Sequence, residues 1–243
     1  MQEYAICVKN VYKNFNVYLD KANTLKERLL FFYRNKKEKR EVLKNINLNI
    51  KKGETVALIG TNGSGKSTLL KLMTKILYPN SGIIEINGKL TSLLELGAGF
   101  HPDFSGRENI YFNASIFGLT KKEIDDRLEN IIEFSELKNY IDNPIRTYSS
   151  GMYMRLAFAV AINVNADILL VDEILSVGDE HFQNKCIEKM LELKNEGKTM
   201  VFVTHSMESV RKLCSRVVWL YNGNIQMDGN SEEVIKKYVE VTR

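Results

Sequence analysis

The sequence predicts an α/β fold: a core with a mostly parallel sheet, an antiparallel β subdomain and an inserted α-helical subdomain. Three observations support this prediction. An apolar run, a glycine-rich loop and an apolar helical repeat follow one another between residues 54 and 76. Two further apolar runs, 168–172 and 199–204, have the composition of buried parallel strands. Helical patterns dominate the residues that precede these two runs, from 106 to 162.

The glycine-rich loop fits G-x-x-x-x-G-K-[ST], the pattern of a phosphate-binding loop in a P-loop NTPase core. It consists of Gly60, Thr61, Asn62, Gly63, Ser64, Gly65, Lys66, Ser67 and Thr68. Its glycines allow successive backbone N–H groups to turn toward phosphate oxygens at a positive helix end. Lys66 is expected to reach the β- and γ-phosphates, and the Ser67 hydroxyl to coordinate Mg²⁺. The strand and helix flanks disfavour the alternative, an ordinary polar surface loop.

Composition excludes several classes of protein. The chain has 243 residues, of which 44% are hydrophobic and 26% charged, as in ordinary globular proteins. No unbroken apolar run approaches the ~18–20 residues that span a bilayer, and residues 1–4 do not begin a secretory leader. Three widely spaced cysteines match no zinc pattern. We therefore expect a cytoplasmic protein with reduced thiols.

The first 18 residues supply a candidate for nucleotide-base stacking. Residues 3–8 alternate in the manner of an edge strand, and residues 10–15 form an extended aromatic segment. Phe15 is the first candidate to stack on a base, followed by Tyr12 and Tyr18. From these residues alone, aromatic packing within a small sheet is an equally good interpretation.

A basic segment follows. Residues 21–33 carry apolar side chains at helical spacing, and five of the seven residues 34–40 are basic. An amphipathic helix beside positive charge is typical of a site near a membrane surface or a membrane protein. A solvated connecting loop is the alternative. Nothing else in the chain resembles a module that reads nucleic-acid bases, so no nucleic-acid partner is expected.

Several further elements follow from turn and capping signals. Residues 41–50 alternate as a strand, and Asn87-Gly88 predicts a hairpin turn. Thr120 and Glu123 form a capping box that predicts a helix over 121–136. A second hairpin is expected around Asn222-Gly223, with a last helix after Ser231.

Two strand ends are predicted to carry the catalytic groups. The run 168–171 ends in Asp172 and Glu173, which places both acids in the crevice where α/β sheets bind ligands. Asp172 is expected to hold Mg²⁺, and Glu173 to polarise the water that attacks the γ-phosphorus. His205 ends the next strand and is expected to donate a hydrogen bond to the γ-phosphate.

In this order, these motifs resemble the ATP-binding cassette of ABC transporters. The resemblance rests on the phosphate loop, Tyr-Ser-Ser-Gly-Met (148–152), Leu-Leu-Val-Asp-Glu (169–173), Ser-Val-Gly-Asp (176–179) and Thr-His (204–205). The basic insertion, Leu-Leu-Glu-Leu-Gly-Ala-Gly-Phe (93–100), Gly-Arg-Glu-Asn (106–109) and the segment 148–159 resemble the ATPases that export O-antigen, capsule and teichoic-acid polymers. The ABC ATPase fold is implied.

The resemblance implies a homodimer with two head-to-tail sites. ATP on one phosphate loop would be covered by Ser149, Ser150 and Gly151 of the other subunit, and Asp179 would couple the two sites. Phe15 falls where the family stacks its adenine. Ser150 and Met152 replace the glycine and glutamine of the usual signature. The family's metal-sensing glutamine is absent, and Glu95 is the expected substitute.

The resemblance implies one ABC ATPase domain over residues 1–243. Residues 1–91 and 165–243 would form the nucleotide-binding core with its antiparallel subdomain, and 92–164 the metal-sensing and helical region. We expect an ATPase on a membrane-embedded permease at the cytoplasmic face, exporting a cell-surface polysaccharide without a glycan-binding domain of its own. The alternatives are an importer, a lipid exporter, or a non-transport ATPase acting on ribosomes or DNA.

Overall fold

The structure is a computed structural model that describes residues 3–18, 37–94, 96–172, 178–204 and 206–242. Its strands are β1 (Tyr4–Tyr18), β2 (Lys37–Lys51), β3 (Thr55–Ile59), β4 (Ser81–Ile86), β5 (Leu90–Ser92), β6 (Ile168–Asp172), β7 (Thr199–Val203), β8 (Arg216–Tyr221) and β9 (Asn224–Asn230). Its α-helices are α1 (Lys66–Met73), α2 (Gly106–Ile116), α3 (Lys121–Asp125), α4 (Leu128–Ser135), α5 (Ser150–Ile162), α6 (Glu180–Asn195), α7 (Met207–Leu213) and α8 (Ser231–Thr242). A short 3₁₀ helix spans Ile145–Thr147.

The larger sheet has the strand order β5-β6-β7-β3-β8-β9. All its pairings are parallel except that of β8 with β9. Every residue of β3 is buried, because Ala57 and Ile59 face one apolar core while Val56 and Leu58 face another. A strand that is covered on both faces has no solvent-exposed side, so its sequence is continuously apolar and does not alternate with polar residues. The predicted fold class is confirmed.

A separate antiparallel sheet has the order β2-β1-β4. Strand β1 is therefore central, and the prediction of an edge strand was wrong, because alternation reports which face is covered and not which edges are paired. The β1–β2 pairing runs from Tyr4 opposite Lys51 to Tyr18 opposite Lys37. The end of the basic run thus belongs to β2, whereas the helix predicted over 21–33 lies outside the described residues.

The hairpin predicted at Asn87-Gly88 was also wrong. Strand β4 before this turn pairs with β1, whereas β5 after it pairs with β6 in the other sheet. The Asn87 N–H donates to Ala5 O at 2.8 Å, and the Lys89 N–H donates to Asp167 Oδ2 at 2.8 Å. Because each end of the turn is bonded to a different sheet, the two strands cannot pair with each other.

Helices α2 to α5 enclose a third apolar core. The predicted capping box is present, since Thr120 Oγ1 accepts from the Glu123 N–H and the Glu123 carboxylate accepts from the Thr120 N–H. A second box at Ser105 and Glu108 starts α2. The single helix predicted over 121–136 is instead two helices, α3 and α4, separated at residues 126–127.

Two further observations concern the cysteines and the length of the helices. Cys7, Cys186 and Cys214 are buried free thiols, and burial raises the pKa of both Cys186 and Cys214 to about 12. Within the described ranges, no helix is long and apolar enough to cross a membrane.

The β8–β9 turn presses closely on β2, and this contact yields a stability prediction. A Cβ added to Gly223, at φ 81°, would lie 2.5 Å from Val42 O. Gly197 has nearly the same dihedral, φ 79°, but has no atom within 4 Å of an added Cβ. We expect Gly197→Ala to cost about 1 kcal/mol for the left-handed backbone, and Gly223→Ala to cost about 1–3 kcal/mol more for overlap. Denaturant unfolding of both variants measures the difference, and equal losses would contradict the proposed contact.

Candidate nucleotide-binding site

The phosphate loop connects the buried strand β3 to α1 and is held tightly from both sides. Gly65 caps α1 with a left-handed backbone at φ 110°. A Cβ at Gly65 would lie 2.6 Å from Leu43 Cδ2, and one at Gly60 would lie 2.2 Å from Leu220 O. Larger residues at these two positions would collide with β2 and β8. The glycine pattern therefore reflects close packing as well as backbone freedom.

The loop forms one side of a cavity of about 660 Å³. The lining residues are Phe15, Val17, Arg40, Glu41, Val42, Lys44, Asn62, Gly63, Gly65, Lys66, Ser67, Thr68, Asn222 and Gly223. Phe15 is thus placed beside the loop, as expected for a base-stacking residue. Tyr12 instead pairs with Ser81 on β4.

Sequence reasoning missed the wall of this cavity that β2 and the β8–β9 turn provide. Arg40 and Lys44 add positive charge beside the loop, and Asn222 adds a polar side chain. The sequence had assigned Arg40 to a surface run and Asn222 to a hairpin turn. The pairing of Phe15 with Arg40 brings β1 and β2 together, and the Lys44 N–H, which donates to Gly223 O at 2.8 Å, holds the β8–β9 turn against β2. Local periodicity encodes neither contact.

Lys66 is buried at the centre of the loop, with 6% of its surface exposed. Its Nζ donates to Gly60 O at 2.7 Å and to Thr61 O at 3.1 Å. A buried ammonium requires such acceptors. Phosphate oxygens would be stronger acceptors for the same group, because both partners would then be charged.

Ser64 and Ser67 take different positions in the loop. Ser64 is buried, and its Oγ has no hydrogen-bond partner among the described residues. Ser67, in the first turn of α1, is exposed and lines the cavity. Of the two hydroxyls, only that of Ser67 faces the cavity, as a metal ligand must.

The carboxyl end of β6 supplies the other predicted metal ligand. Asp172 is the last residue of β6, is partly exposed, and lies in register with Val203 of β7. Within the described ranges, no three His, Cys, Asp or Glu side chains form a metal cluster. Mg²⁺ takes oxygen ligands and commonly only one or two from the protein besides phosphate and water. The Ser67 hydroxyl and the Asp172 carboxylate are donors of this kind, but only Ser67 lines the cavity.

Three predicted residues, Glu95, Glu173 and His205, lie outside the described residues. Their roles therefore stay predictions. The neighbours of Glu95 are described: the Tyr153 O–H donates to Gly97 O at 2.9 Å, and burial raises the pKa of Tyr153. This bond ties the segment that follows Glu95 to helix α5.

The start of α5 carries the predicted cover for ATP. Ser149 caps the helix, with its Oγ accepting from the Met152 N–H at 3.2 Å. Ser149 and Ser150 are exposed. They line a second cavity of about 490 Å³, together with Gly151, Met152, Met154, Arg155, Gly178 and Asp179. Among the described residues, the two cavities share no lining residue, so Ser149–Gly151 are not among the residues that line the cavity at the phosphate loop.

The strand order, the phosphate loop and the carboxylate at the end of β6 define a P-loop nucleotide-binding protein. The family model described as ABC transporter matches residues 43–176. The chain belongs to the ABC transporter family, and ATP is the nucleotide that its phosphate loop binds.

Relatives and solved structures agree with this family. The chain is 51% identical to the O-antigen export system ATP-binding protein RfbB of Myxococcus xanthus, over 97% of the chain and 56% of that protein. It is 45% identical to RfbB of Klebsiella pneumoniae, over 97% of the chain and 98% of that protein. It is 42% identical to the teichoic acids export ATP-binding protein TagH of Levilactobacillus brevis, over 99% of the chain and 66% of that protein. The chain thus spans little more than half of the Myxococcus relative.

The structural similarity is to other ATP-binding cassettes. An ATP-binding subunit of an ABC transporter superimposes with a TM-score of 0.78 at 22% identity, covering 98% of this chain and all of that one. The dimeric bacterial ABC transporter cassette MJ0796 gives a TM-score of 0.72 at 24% identity, covering 93% and 98% respectively. At these identities the similarity concerns the fold.

Proposed function

We propose that this protein hydrolyses ATP as a head-to-tail homodimer and powers export of a cell-surface polysaccharide through a membrane permease. The observation that carries the dimer is the separation of the phosphate-loop cavity from the cavity at the start of α5. Residues of the phosphate loop line the first cavity, and Ser149, Ser150, Gly151 and Asp179 line the second. The names of the RfbB and TagH relatives, O-antigen and teichoic acid export proteins, support the polysaccharide as cargo.

The chemistry of this site is mainly positioning and charge stabilisation around the γ-phosphoryl group. Lys66 holds the phosphates, and Ser67 and Asp172 are the residues that would hold Mg²⁺. Bound Mg²⁺ supplies positive charge that neutralises the phosphate oxygens. Glu173 orients and polarises the attacking water, and His205 donates a hydrogen bond to the γ-phosphate.

The role of Glu173 generates the first test of this function. Glu173→Gln keeps the size and polarity of the side chain but removes its basicity. We expect ATP binding to persist while the turnover rate falls by at least ~10², the low end for loss of a general base. Phosphate release and nucleotide binding, measured on the same preparation, separate the two steps. Hydrolysis at the wild-type rate would overturn the assignment.

The composite site is tested by cross-linking. Asn62 in the phosphate loop and Ser150 at the start of α5 are both exposed, whereas the native cysteines are all buried. In Asn62→Cys/Ser150→Cys, a short thiol-reactive cross-linker should join two chains when a non-hydrolysable ATP analogue is bound. A denaturing gel should show a covalent dimer.

Each variant with only one of the two introduced cysteines is a matched control and should stay monomeric on the gel. A site formed within one chain would instead give an internal cross-link, which migrates as a monomer. That result would exclude the head-to-tail arrangement.

An exposed apolar surface on α2 supports the permease as partner. Phe112 and Ile116 of α2 and the following Phe117 are 46%, 60% and 38% exposed, and Phe104 nearby is 39% exposed. Phe104 and Phe112 pack edge to face at 6.3 Å between ring centroids. Clustered exposed aromatic side chains are typical of interfaces with other proteins.

We expect Ile116→Asp to abolish co-purification of the cassette with its membrane partner, because a charge would have to be desolvated in the contact. ATP binding by the isolated cassette should not change. Ile83→Asp on β4 is the control, since Ile83 is similarly exposed, at 58%, but lies on the antiparallel sheet. Retention of the partner by Ile116→Asp, or its equal loss in both variants, would contradict this docking surface. Affinity purification from solubilised membranes measures the outcome.

A further inference from the structure

Arg155 in the second turn of α5 bridges two carboxylates from different parts of the chain. Its Nη1 donates to Glu136 Oε2 at 2.7 Å, and its Nη2 donates to Asp179 Oδ2 at 2.7 Å. The guanidinium also lies 4.9 Å from the ring centroid of Phe182 in α6. The side chains of Arg155 and Glu136 are 19% and 29% exposed, so their charge-assisted bond is partly shielded from water, whereas Asp179 is 63% exposed.

Glu136 is the anchor of this network at the end of α4. Its Oε1 accepts from Lys185 Nζ at 3.0 Å and contacts His181 Nε2 at 3.2 Å, while Oε2 binds Arg155. Burial acts to raise the pKa of Glu136, but Lys185, His181 and Arg155 together lower it below its ordinary value. Glu136 is therefore ionised at neutral pH and loses its stabilising contribution as pH falls through its lowered pKa.

Asp179 uses its two carboxylate oxygens for two different tasks. Oδ1 accepts from the Phe182 N–H at 2.9 Å and caps α6, while Oδ2 accepts from Arg155. The capping bond to Phe182 is the main cause of the lowered pKa of Asp179, with Arg155 and His181 contributing through their charge. The orientation of this carboxylate is thus fixed jointly by α6 and by Arg155.

Arg155 and Asp179 both line the second cavity, beside Ser149 and Ser150. We propose that Arg155 is a positioning residue. Its bond to Asp179 fixes the start of α5 relative to the start of α6, so that Ser149–Gly151 and Asp179 approach the partner subunit in a fixed relative orientation. Glu136 holds Arg155 in place from the helical region. This inference rests on the proposed dimer, in which Ser149–Gly151 covers the partner's ATP and Asp179 couples the two sites.

Lys185 provides a matched control for the bridge. Like Arg155, it binds Glu136 and lies over an aromatic ring, at 4.9 Å from the Phe134 centroid. Its Nζ, however, donates to Phe134 O and Glu136 Oε1 and not to Asp179 among the described residues. Arg155→Met and Lys185→Met each remove one cation from Glu136 and keep an apolar stem that can still pack. Only the Arg155 variant removes the link to Asp179.

The test is the ATP dependence of hydrolysis, because coupling between two sites appears as cooperativity. For the wild-type dimer we expect a Hill coefficient above 1. In Arg155→Met it should fall to about 1, and kcat should decrease about 10-fold or more, the range for loss of one orienting contact. Binding of a fluorescent ATP analogue to the monomer should change by less than about 2-fold. Lys185→Met should keep the wild-type Hill coefficient.

Two further variants keep the test decisive if Arg155→Met folds poorly. Asp179→Asn retains a good helix cap but weakens the charged bond, and should reproduce the loss of cooperativity. Arg155→Lys should restore only part of it, because an ammonium cannot bridge two carboxylates as a planar guanidinium does.

Wild-type cooperativity in either Arg155→Met or Asp179→Asn would overturn the positioning role while leaving the proposed ATPase intact. An equal loss in Arg155→Met and Lys185→Met would also overturn it, because it would show that only the charge balance at Glu136 matters. Absence of ATP hydrolysis by the wild-type protein would instead overturn the proposed function, and this inference with it.

Discussion

The site depends on the close packing of backbone around the phosphate loop. Gly60 lies against the carbonyl of Leu220 at the end of β8, and Gly65 lies against Leu43 on β2. Protein interiors are too dense to absorb an extra methyl group at such distances without a shift of the backbone. Larger residues at these two glycines would therefore displace the loop from β2 and β8. The antiparallel sheet is part of the same packing, since buried residues of β1 and β2 share one apolar core with Val56 of β3, and β2 also forms a wall of the cavity.

The same packing places the positive charge of the site. Lys66 is almost fully buried and uses the carbonyl oxygens of its own loop as acceptors. The carbonyl acceptors are neutral, whereas phosphate oxygens are charged, so a bond from the ammonium to phosphate has charge on both partners and is stronger. Arg40 and Lys44 add their charges from β2, where water screens them more effectively. The buried lysine thus provides the directed contact, and the β2 cations contribute to the attraction of an anion.

Most of the elements and the phosphate loop were predictable because their signals are local. A glycine loop between a strand and a helix, a capping box at Thr120 and a hairpin at Asn222 each depend on a few adjacent residues. The errors at β1 and at Asn87-Gly88 share a different cause. Both concern which strand is the partner of a given strand, and that choice depends on residues far along the chain such as Asp167. The cavity wall at Arg40 was missed for the same reason. Local patterns identify elements, whereas long-range pairing decides which elements meet.

The exposed start of α5 links the fold of one chain to the proposed dimer. A serine-capped helix start is common and by itself indicates no ligand. Here, however, Ser149 and Ser150 are exposed and lie in a cavity that shares no lining residue with the phosphate loop. Amides at a helix N-terminus favour an anion, and the phosphates proposed to bind at Lys66 would supply one. In the proposed homodimer a second subunit would bring the two half-sites together, so dimerisation would complete the site.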